Sequence, residues 1–217
     1  MADLLPVIAL SLRVAAVSVL LAALPAIALG HLLARRRFPG RALVEALVHL
    51  PLVLPPVVTG YALLLLFSPR GPLGGLGLIF TWRGAAVASA VVAFPLFVRA
   101  VSLGIASVDP ALEEAARVTG ASPARVFRTI TLPLALPGVL GGALLAFGRS
   151  LGEFGATIAF AGSVPGQTDT LPLAIWQALQ TPGGESRAMS LAAASATLAF
   201  LTLLAGELAA RRLRWTR

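Results

Sequence analysis

The sequence predicts an all-α integral membrane protein with about five transmembrane helices, an external N-terminus and a cytoplasmic C-terminus. Two features of its composition support this prediction: 58% of the 217 residues are hydrophobic, and only 12% are charged. A water-soluble domain could not cover its surface with so few charged side chains. The third observation is that five apolar stretches each reach the roughly 20 residues that a helix needs to cross a bilayer.

The five predicted transmembrane helices (spans) belong to a single transmembrane domain that covers residues 1–217. Their approximate bounds are 8–33, 42–67, 84–107, 134–160 and 188–210. The first span is too long for the apolar core of a signal peptide and follows no basic leader, so we expect it in the mature protein. The second span contains Pro51, Pro55 and Pro56, and we expect it to be kinked there.

Arginine is concentrated on one side of the predicted spans. Three groups follow the first span, occupy the polar loop 109–133 and form the tail: Arg35, Arg36, Arg37 and Arg41; Arg117, Arg125 and Arg128; Arg211, Arg212, Arg214 and Arg217. The positive-inside rule places all three groups in the cytoplasm, which fixes the orientation of the five spans. The net charge of +8 therefore reflects loops that flank a membrane, and we do not expect binding to nucleic acid.

The polar loop 109–133 begins with a short helix. Asp109 followed by Pro110 is typical of a helix cap with proline at the first helical position. Small and apolar residues then recur at helical spacing and predict one apolar face: Leu112, Ala115, Ala116 and Thr119. Glu113, Glu114 and Arg117 are expected on other faces.

A second short helix is predicted after a sharp turn in the same loop. Gly120 can take the left-handed conformation that commonly ends a helix. Ser122 and Pro123 repeat the cap-and-proline pattern, and Pro133 is expected to end the second helix. The loop is therefore predicted as a helix–turn–helix unit between two spans.

This loop also carries a sequence signature. Glu114-Ala115-Ala116, Gly120, Ile130 and Leu132-Pro133 occur at the spacing E-A-A, three residues, G, nine residues, I, one residue, L-P. The pattern resembles the cytoplasmic loop of bacterial ABC importer permeases. The resemblance implies that the first helix docks into a separate ATPase subunit, with these coupling residues: Glu113, Glu114, Ala115, Ala116, Arg117, Gly120, Ile130, Leu132 and Pro133. The alternative is an ordinary cytoplasmic loop with well-capped helices.

The resemblance extends over about residues 12–205 and narrows to the permeases of molybdate importers. It rests on stretches such as FPGRALVEALVHLPLVLPPVVTGY, FPLFVRA and FGRSLGEFGATIAFAG. It implies a homodimer in the bacterial cytoplasmic (inner) membrane, two ATPase subunits and an external molybdate-binding protein. Tungstate and sulfate or thiosulfate stay open as substrates, because these tetrahedral dianions are similar.

The residue inventory argues against an enzyme. All seventeen basic residues are arginine, whereas a P-loop ATPase uses a lysine on the nucleotide phosphates. ATP and Mg²⁺ are therefore expected on a partner chain, with no cofactor and no catalytic residue here. With no cysteine and only His31 and His49, we also expect no metal site.

Candidates for the translocation path lie in the second and fourth spans: Pro55, Pro56, Thr59, Gly60, Arg149, Ser150 and Glu153. Arg149 and Glu153 are four residues apart, so they are expected on one helix face. A paired Arg149–Glu153 would be nearly neutral and structural, whereas an unpaired Arg149 would attract an oxyanion. Both readings stay open.

Two further questions concern the external loops and the class of transporter. A short helix is predicted at about Leu171 to Gln180, either lying on the outer surface or dipping back into the membrane. An ATP-independent secondary anion transporter is the alternative function. We expect no paired broken helices, and their absence would argue against that class.

Overall fold

The computed structural model describes the backbone of residues 4–215 and the side chains of residues 4–208. That part of the chain is helical and contains no strand. Its helices are α1 (Leu4–Arg35), α2 (Arg41–Val53), α3 (Pro56–Phe67), a 3₁₀ turn (Gly74–Leu76), α4 (Trp82–Ala106), α5 (Pro110–Val118), α6 (Pro123–Val126), a π-helical turn (Phe127–Thr131), α7 (Leu132–Leu151), α8 (Gly155–Phe160), α9 (Leu171–Leu179) and α10 (Glu185–Trp215). The predicted all-α membrane fold is confirmed.

Four helices in the described residues are long and apolar enough to cross a membrane: Leu4–Arg35, Trp82–Ala106, Pro123–Leu151 and Glu185–Leu208. The bent pair α2 and α3 raises the number to five if it counts as one span, with an angle of 111° between its two halves. The prolines at the break explain the bend, because Pro55 and Pro56 lack the N–H groups that would continue the helix. The predicted span 42–67 is therefore interrupted.

The helices α1 and α4 run parallel through the centre of the fold. At one end of the pair, the Arg13 guanidinium lies 3.8 Å from the centre of the Trp82 ring. At the other end, Arg35 Nη2 donates a 2.8 Å hydrogen bond to the carbonyl oxygen of Val108, just beyond α4. Because the start of α4 lies beside the start of α1, the chain between them must return along the bundle. The bent pair α2–α3 lies on this returning part of the chain.

Small residues allow the central helices to approach closely. Ala15, Ala85 and Ala86 are fully buried between α1 and α4. Between α4 and α7, a Cβ atom placed on Gly138 would lie 2.6 Å from the Cα atom of Gly104. The two backbones therefore touch at these glycines, and a larger residue at either position would force them apart.

The fourth span differs from the prediction at both ends. It begins at Pro123, because α6, the π-helical turn and α7 form one continuous helix up to Leu151. Pro133 therefore does not end the second loop helix, which corrects the sequence interpretation. The wider π turn directly before it accommodates a proline ring that would clash with the carbonyl group four residues earlier in a regular α-helix. Residues 152–154 then break the helix, so the predicted span 134–160 does not continue into α8.

These interruptions also correct a second expectation. Residues 4–215 contain helix breaks between α2 and α3 and between α7 and α8, whereas the sequence predicts no such pair. Each break lies in an apolar segment, so hydropathy alone does not reveal it. Broken helices are tolerated in membrane proteins where neighbouring helices re-satisfy the freed backbone groups.

The remaining helices close one end and one side of the bundle. α9 confirms the short helix predicted at about Leu171 to Gln180, and its first backbone amide, on Leu171, donates a 2.8 Å hydrogen bond to Ser11 Oγ of α1. α10 packs against α9 through Ala188 and Leu191. Farther along, α10 presents exposed Phe200, Leu201 and Leu203 to its surroundings. The side chains of the tail arginines lie outside the described residues.

Candidate functional site

The first helix of the polar loop is built as its sequence predicts. Asp109 Oδ1 accepts a 2.9 Å hydrogen bond from the Ala111 amide, and Pro110 opens α5. After α5, Gly120 has a φ angle of +85°. A side chain at Gly120 would meet no atom within 4 Å, so the need for glycine is purely conformational. The turn presents α5 beyond the ends of the spans.

The inner face of α5 is anchored by Glu113, which is only 3% exposed. Glu113 Oε1 lies 2.9 Å from Arg35 Nη2 at the end of α1 and accepts a 2.8 Å hydrogen bond from Thr131 Oγ1. Its Oε2 accepts a 3.2 Å hydrogen bond from Arg117 Nη2, one turn later in α5. The buried carboxylate therefore has partners on three segments, as a buried charge requires. It joins α5 to α1 and to the π-helical turn before α7.

The outer face of α5 is apolar and exposed. Val118 is 84% exposed and Leu112 is 49% exposed, and Ala115 lies on the same exposed surface. Thr119, just after the helix, is also exposed, whereas Ala116 is half-buried. The apolar face predicted from the sequence is thus turned away from the rest of this chain. An isolated short helix gains nothing from exposing such residues, so this face is available to a partner.

The coupling residues predicted from the sequence divide between these two faces and the start of α7. Glu113 and Arg117 hold α5 in place, although the Arg117 side chain is also 54% exposed. Glu114 is exposed and has a free approach from solvent. Of the later signature residues, Ile130 and Leu132 are half-buried and Pro133 is exposed. Leu132 packs against the main apolar core, which contains residues of α1, α4 and α7.

The path candidates Arg149 and Glu153 form an ion pair. Arg149 Nη1 lies 2.6 Å from Glu153 Oε2, although the guanidinium is not aligned for a hydrogen bond. Glu153 is buried, and its Oε1 accepts a 2.8 Å hydrogen bond from the amide of Ala156 at the start of α8. Glu153 lies in the break between α7 and α8, which corrects the expectation that both residues share one helix face. The geometry favours the structural reading of this pair.

The other path candidates meet around the start of α8. Pro56 and Gly60 of α3 pack against α8 so closely that a Cβ atom on Gly60 would lie 2.5 Å from the carbonyl oxygen of Ala156. Thr59, beside them, is buried, and its Oγ1 has no hydrogen-bond partner among the described atoms. The structure therefore brings the breaks of the second and fourth spans together. Pro55 lies at the first of these breaks, between α2 and α3.

Ser150 faces away from this group. Its Oγ lies 2.7 Å from Ser18 Oγ of α1, and the two hydroxyl groups are hydrogen-bonded to each other. Both hydroxyl groups are buried, and Ser18 also donates to the carbonyl oxygen of Ala15 at 2.8 Å. Ser150 thus fastens α7 to α1 and is separate from the α3–α8 contact.

Sequence reasoning missed two residues of the loop anchor. Arg35 was interpreted only as part of a basic loop, and Thr131 occupies the variable position of the signature. Arg35 lies 78 residues from Glu113 in the sequence, so no local spacing connects them. Among the partners of Glu113, only Arg117 could be predicted from the sequence. It is four residues after Glu113, so the two side chains are neighbours on a helix.

Comparison with known proteins decides the family. Residues 26–215 match the family model described as "Binding-protein-dependent transport system inner membrane component". The chain belongs to this family. The chain is 51% identical over 209 residues to the "Molybdenum transport system permease protein ModB" of Escherichia coli (strain K12), covering 93% of this chain and 91% of that protein. It is 49% identical to the protein of the same name from Haemophilus influenzae, covering 94% and 93% of the two chains.

A solved structure supports the fold of this inner membrane component. The chain superposes on a structure titled "Inward facing conformations of the MetNI methionine ABC transporter" with a TM-score of 0.77, over 98% of this chain and 96% of that one. The two are 22% identical, so the likeness concerns the fold. The family model and the relatives at 51% and 49% identity confirm the resemblance to ABC importer permeases and the inner-membrane localisation.

Proposed function

We propose that this chain is the permease subunit of an ATP-driven molybdate importer, working as a homodimer with two ATPase subunits and an external molybdate-binding protein. The two relatives at 51% and 49% identity, both molybdenum transport permeases by name, support the substrate. The observation that carries the mechanism is the two-sided character of α5. Its inner face is fixed by Glu113, and its outer face is apolar and unpartnered.

The anchor around Glu113 gives a physical route for coupling. An ATPase subunit that seats on Leu112, Ala115 and Val118 would move α5 when it binds or releases nucleotide. Because Glu113 pairs with Arg35 and Thr131, that displacement reaches α1 and the start of α7 directly. The ion pairs are part-buried, so water screens them less than it screens surface pairs. The whole loop then moves as one piece.

The ion pair of Arg149 with Glu153 bears on how strongly the proposed translocation path attracts an oxyanion. Because Glu153 neutralises Arg149, the pair offers an oxyanion little net attraction. A translocation path with low affinity for the anion suits a transporter in which a separate binding protein selects the substrate. Tight binding inside the membrane would slow release. Hydroxyl and backbone donors near the α3–α8 contact, such as the unpartnered Thr59 Oγ1, are the polar groups proposed to contact the anion.

The test is reconstitution of the chain with its ATPase and binding protein in proteoliposomes. We expect molybdate uptake that needs ATP, the ATPase and the loaded binding protein together. Omitting each component in turn provides the control. Preferred uptake of sulfate or tungstate under the same conditions would reassign the substrate. Uptake driven by an ion gradient, with neither ATP nor ATPase, would instead show an ATP-independent secondary anion transporter.

A further inference from the structure

A polar pocket of about 300 Å³ lies between the last turn of α1, the inner face of α5 and the start of the fourth span. Its volume is at the lower end of the range for small-ligand pockets. The lining residues are His31, Arg35, Arg36, Glu113, Arg117, Pro123, Val126, Phe127 and Thr131. The arrangement is independent of the α3–α8 contact and lies on the side of α5 away from Val118.

The charge of this pocket is not balanced by its own residues. Three guanidinium groups, those of Arg35, Arg36 and Arg117, line it with one carboxylate, that of Glu113. An excess of two positive charges therefore remains. Glu113 is already shared by Arg35 and Arg117, and no carboxylate in the described part of the chain pairs with Arg36. Each guanidinium carries five N–H donors, most of which have no acceptor here.

A neutral polar atom in the same pocket also lacks a partner. His31 Nδ1 is buried and makes no hydrogen bond to any described group. The His31 ring is held edge-on against Phe127, with the ring centres 4.8 Å apart. Buried polar atoms are nearly always satisfied, so the unpaired Nδ1 indicates that this pocket holds a polar group that its own residues do not supply.

We propose that this pocket binds a tetrahedral oxyanion of the phosphate type, with Arg36 and Arg117 as its main ligands. The paired N–H donors of a planar guanidinium group match the oxygen geometry of phosphate, and arginine commonly binds phosphate in a bidentate manner. The anion would contact α1 and α5 at once and so add a second fastening beside Glu113. Its source is either the headgroup of an anionic phospholipid in the cytoplasmic leaflet or a free phosphate ion.

An acidic side chain of a partner protein is a less suitable occupant. Of the residues proposed to seat the ATPase, Ala115 lies opposite Glu113 on α5, and Leu112 and Val118 lie on either side of Ala115. On a helix with 3.6 residues per turn, Ala115 is about 160° from Glu113. A protein centred on Ala115 therefore contacts the side of α5 that is turned away from Glu113.

The test measures hydrogen exchange of the α5 amides in the full-length chain, reconstituted in nanodiscs without any ATPase. Three conditions are compared: zwitterionic phosphatidylcholine alone, the same lipid mixed with phosphatidylglycerol, and phosphatidylcholine with inorganic phosphate. We expect exchange in Pro110–Val118 to slow about tenfold under at least one of the last two conditions. Slowing with phosphatidylglycerol identifies a lipid headgroup, and slowing with phosphate identifies a free anion.

Matched variants separate the pocket from general surface charge. Arg36→Gln should abolish the slowing, whereas Arg37→Gln should keep it, because both arginines are exposed and adjacent but only Arg36 lines the pocket. Unchanged exchange in both anionic conditions would overturn the proposal. Equal loss in the two variants would also overturn it. A further sample with phosphatidylcholine and the ATPase subunit tests the other occupant: slowing that appears only there and that Arg36→Gln removes would overturn the proposal, since it would show an acidic partner residue in the pocket.

Discussion

Arg35 at the end of α1 and Glu113 on α5 are joined by a 2.9 Å ion pair across 78 residues of sequence. The pair connects the first span to the loop that is proposed to receive the ATPase. Arg35 also donates to the carbonyl oxygen of Val108, so one side chain holds both the entry to α5 and its buried face. The position of α5 is therefore set by tertiary contacts more than by the short connections on either side.

Replacing Glu113 by alanine should destabilise the loop strongly. Arg35, Arg117 and Thr131 would lose their shared acceptor, and removal of one partner from a buried charge cluster typically costs roughly 3–5 kcal/mol. We expect a lower unfolding temperature and faster proteolysis within residues 109–133. Glu114→Ala is the matched control, because Glu114 is the exposed neighbour and should leave the unfolding temperature unchanged. Equal stability of the two variants would disprove the anchor.

Replacing Val118 by aspartate should leave the fold intact and weaken association with the ATPase. Val118 is 84% exposed, so its substitution changes the stability of the chain by only about 0.5 kcal/mol or less. A charge on an apolar docking face has to be desolvated in the complex. Co-purification of the ATPase with the variant and with Val118→Ala measures the effect, and full retention by the aspartate variant would exclude this face as the docking site.

Replacing Gly120 by valine should uncouple ATP hydrolysis from uptake while the spans stay inserted. The φ angle of +85° is strained for a β-branched residue by about 1–3 kcal/mol, so the turn that presents α5 would rearrange. Gly120→Asn is the informative control, because asparagine tolerates the left-handed conformation better. The ratio of molybdate transported to ATP hydrolysed should fall for valine and recover for asparagine. Wild-type uptake by the valine variant would count against the turn's role.

Replacing Arg149 by methionine should destabilise the break between α7 and α8. The buried Glu153 carboxylate would lose its ion-pair partner, whereas the double variant R149M/E153Q carries no buried charge at this place. We expect the double variant to recover most of the lost thermal stability. If transport also recovers, the pair is structural. Recovery of stability without any recovery of transport would instead assign Arg149 a contact with the anion.

The sequence predicted the parts of the site that depend on local pattern. The cap at Asp109, the turn at Gly120 and the apolar face through Leu112 and Ala115 follow from spacing within one helix, and all of them are present. The signature further indicated the family without reference to the structure. These features could be predicted because each is decided by residues only a few positions apart.

The parts that sequence reasoning missed depend on distant residues or on backbone detail. The Arg35–Glu113 pair joins segments far apart in the chain, and no periodicity reveals it. The continuation of the helix past Pro133 depends on a π-helical turn. No characteristic residue pattern predicts such a turn from the sequence. The break at residues 152–154 lies in an apolar segment, where hydropathy indicates burial in the membrane and not the path of the backbone.

The backbone contact between Gly104 and Gly138 has a mechanical consequence for the proposed transport cycle. Where two helices meet through side chains, rotamer changes can absorb a small displacement, but here no side chain lies between the two Cα atoms. The contact lies near the end of α4 that leads to α5 and near the middle of the continuous helix Pro123–Leu151. A push on α5 that moves the end of α4 would therefore reach the fourth span at this point without being absorbed by side chains.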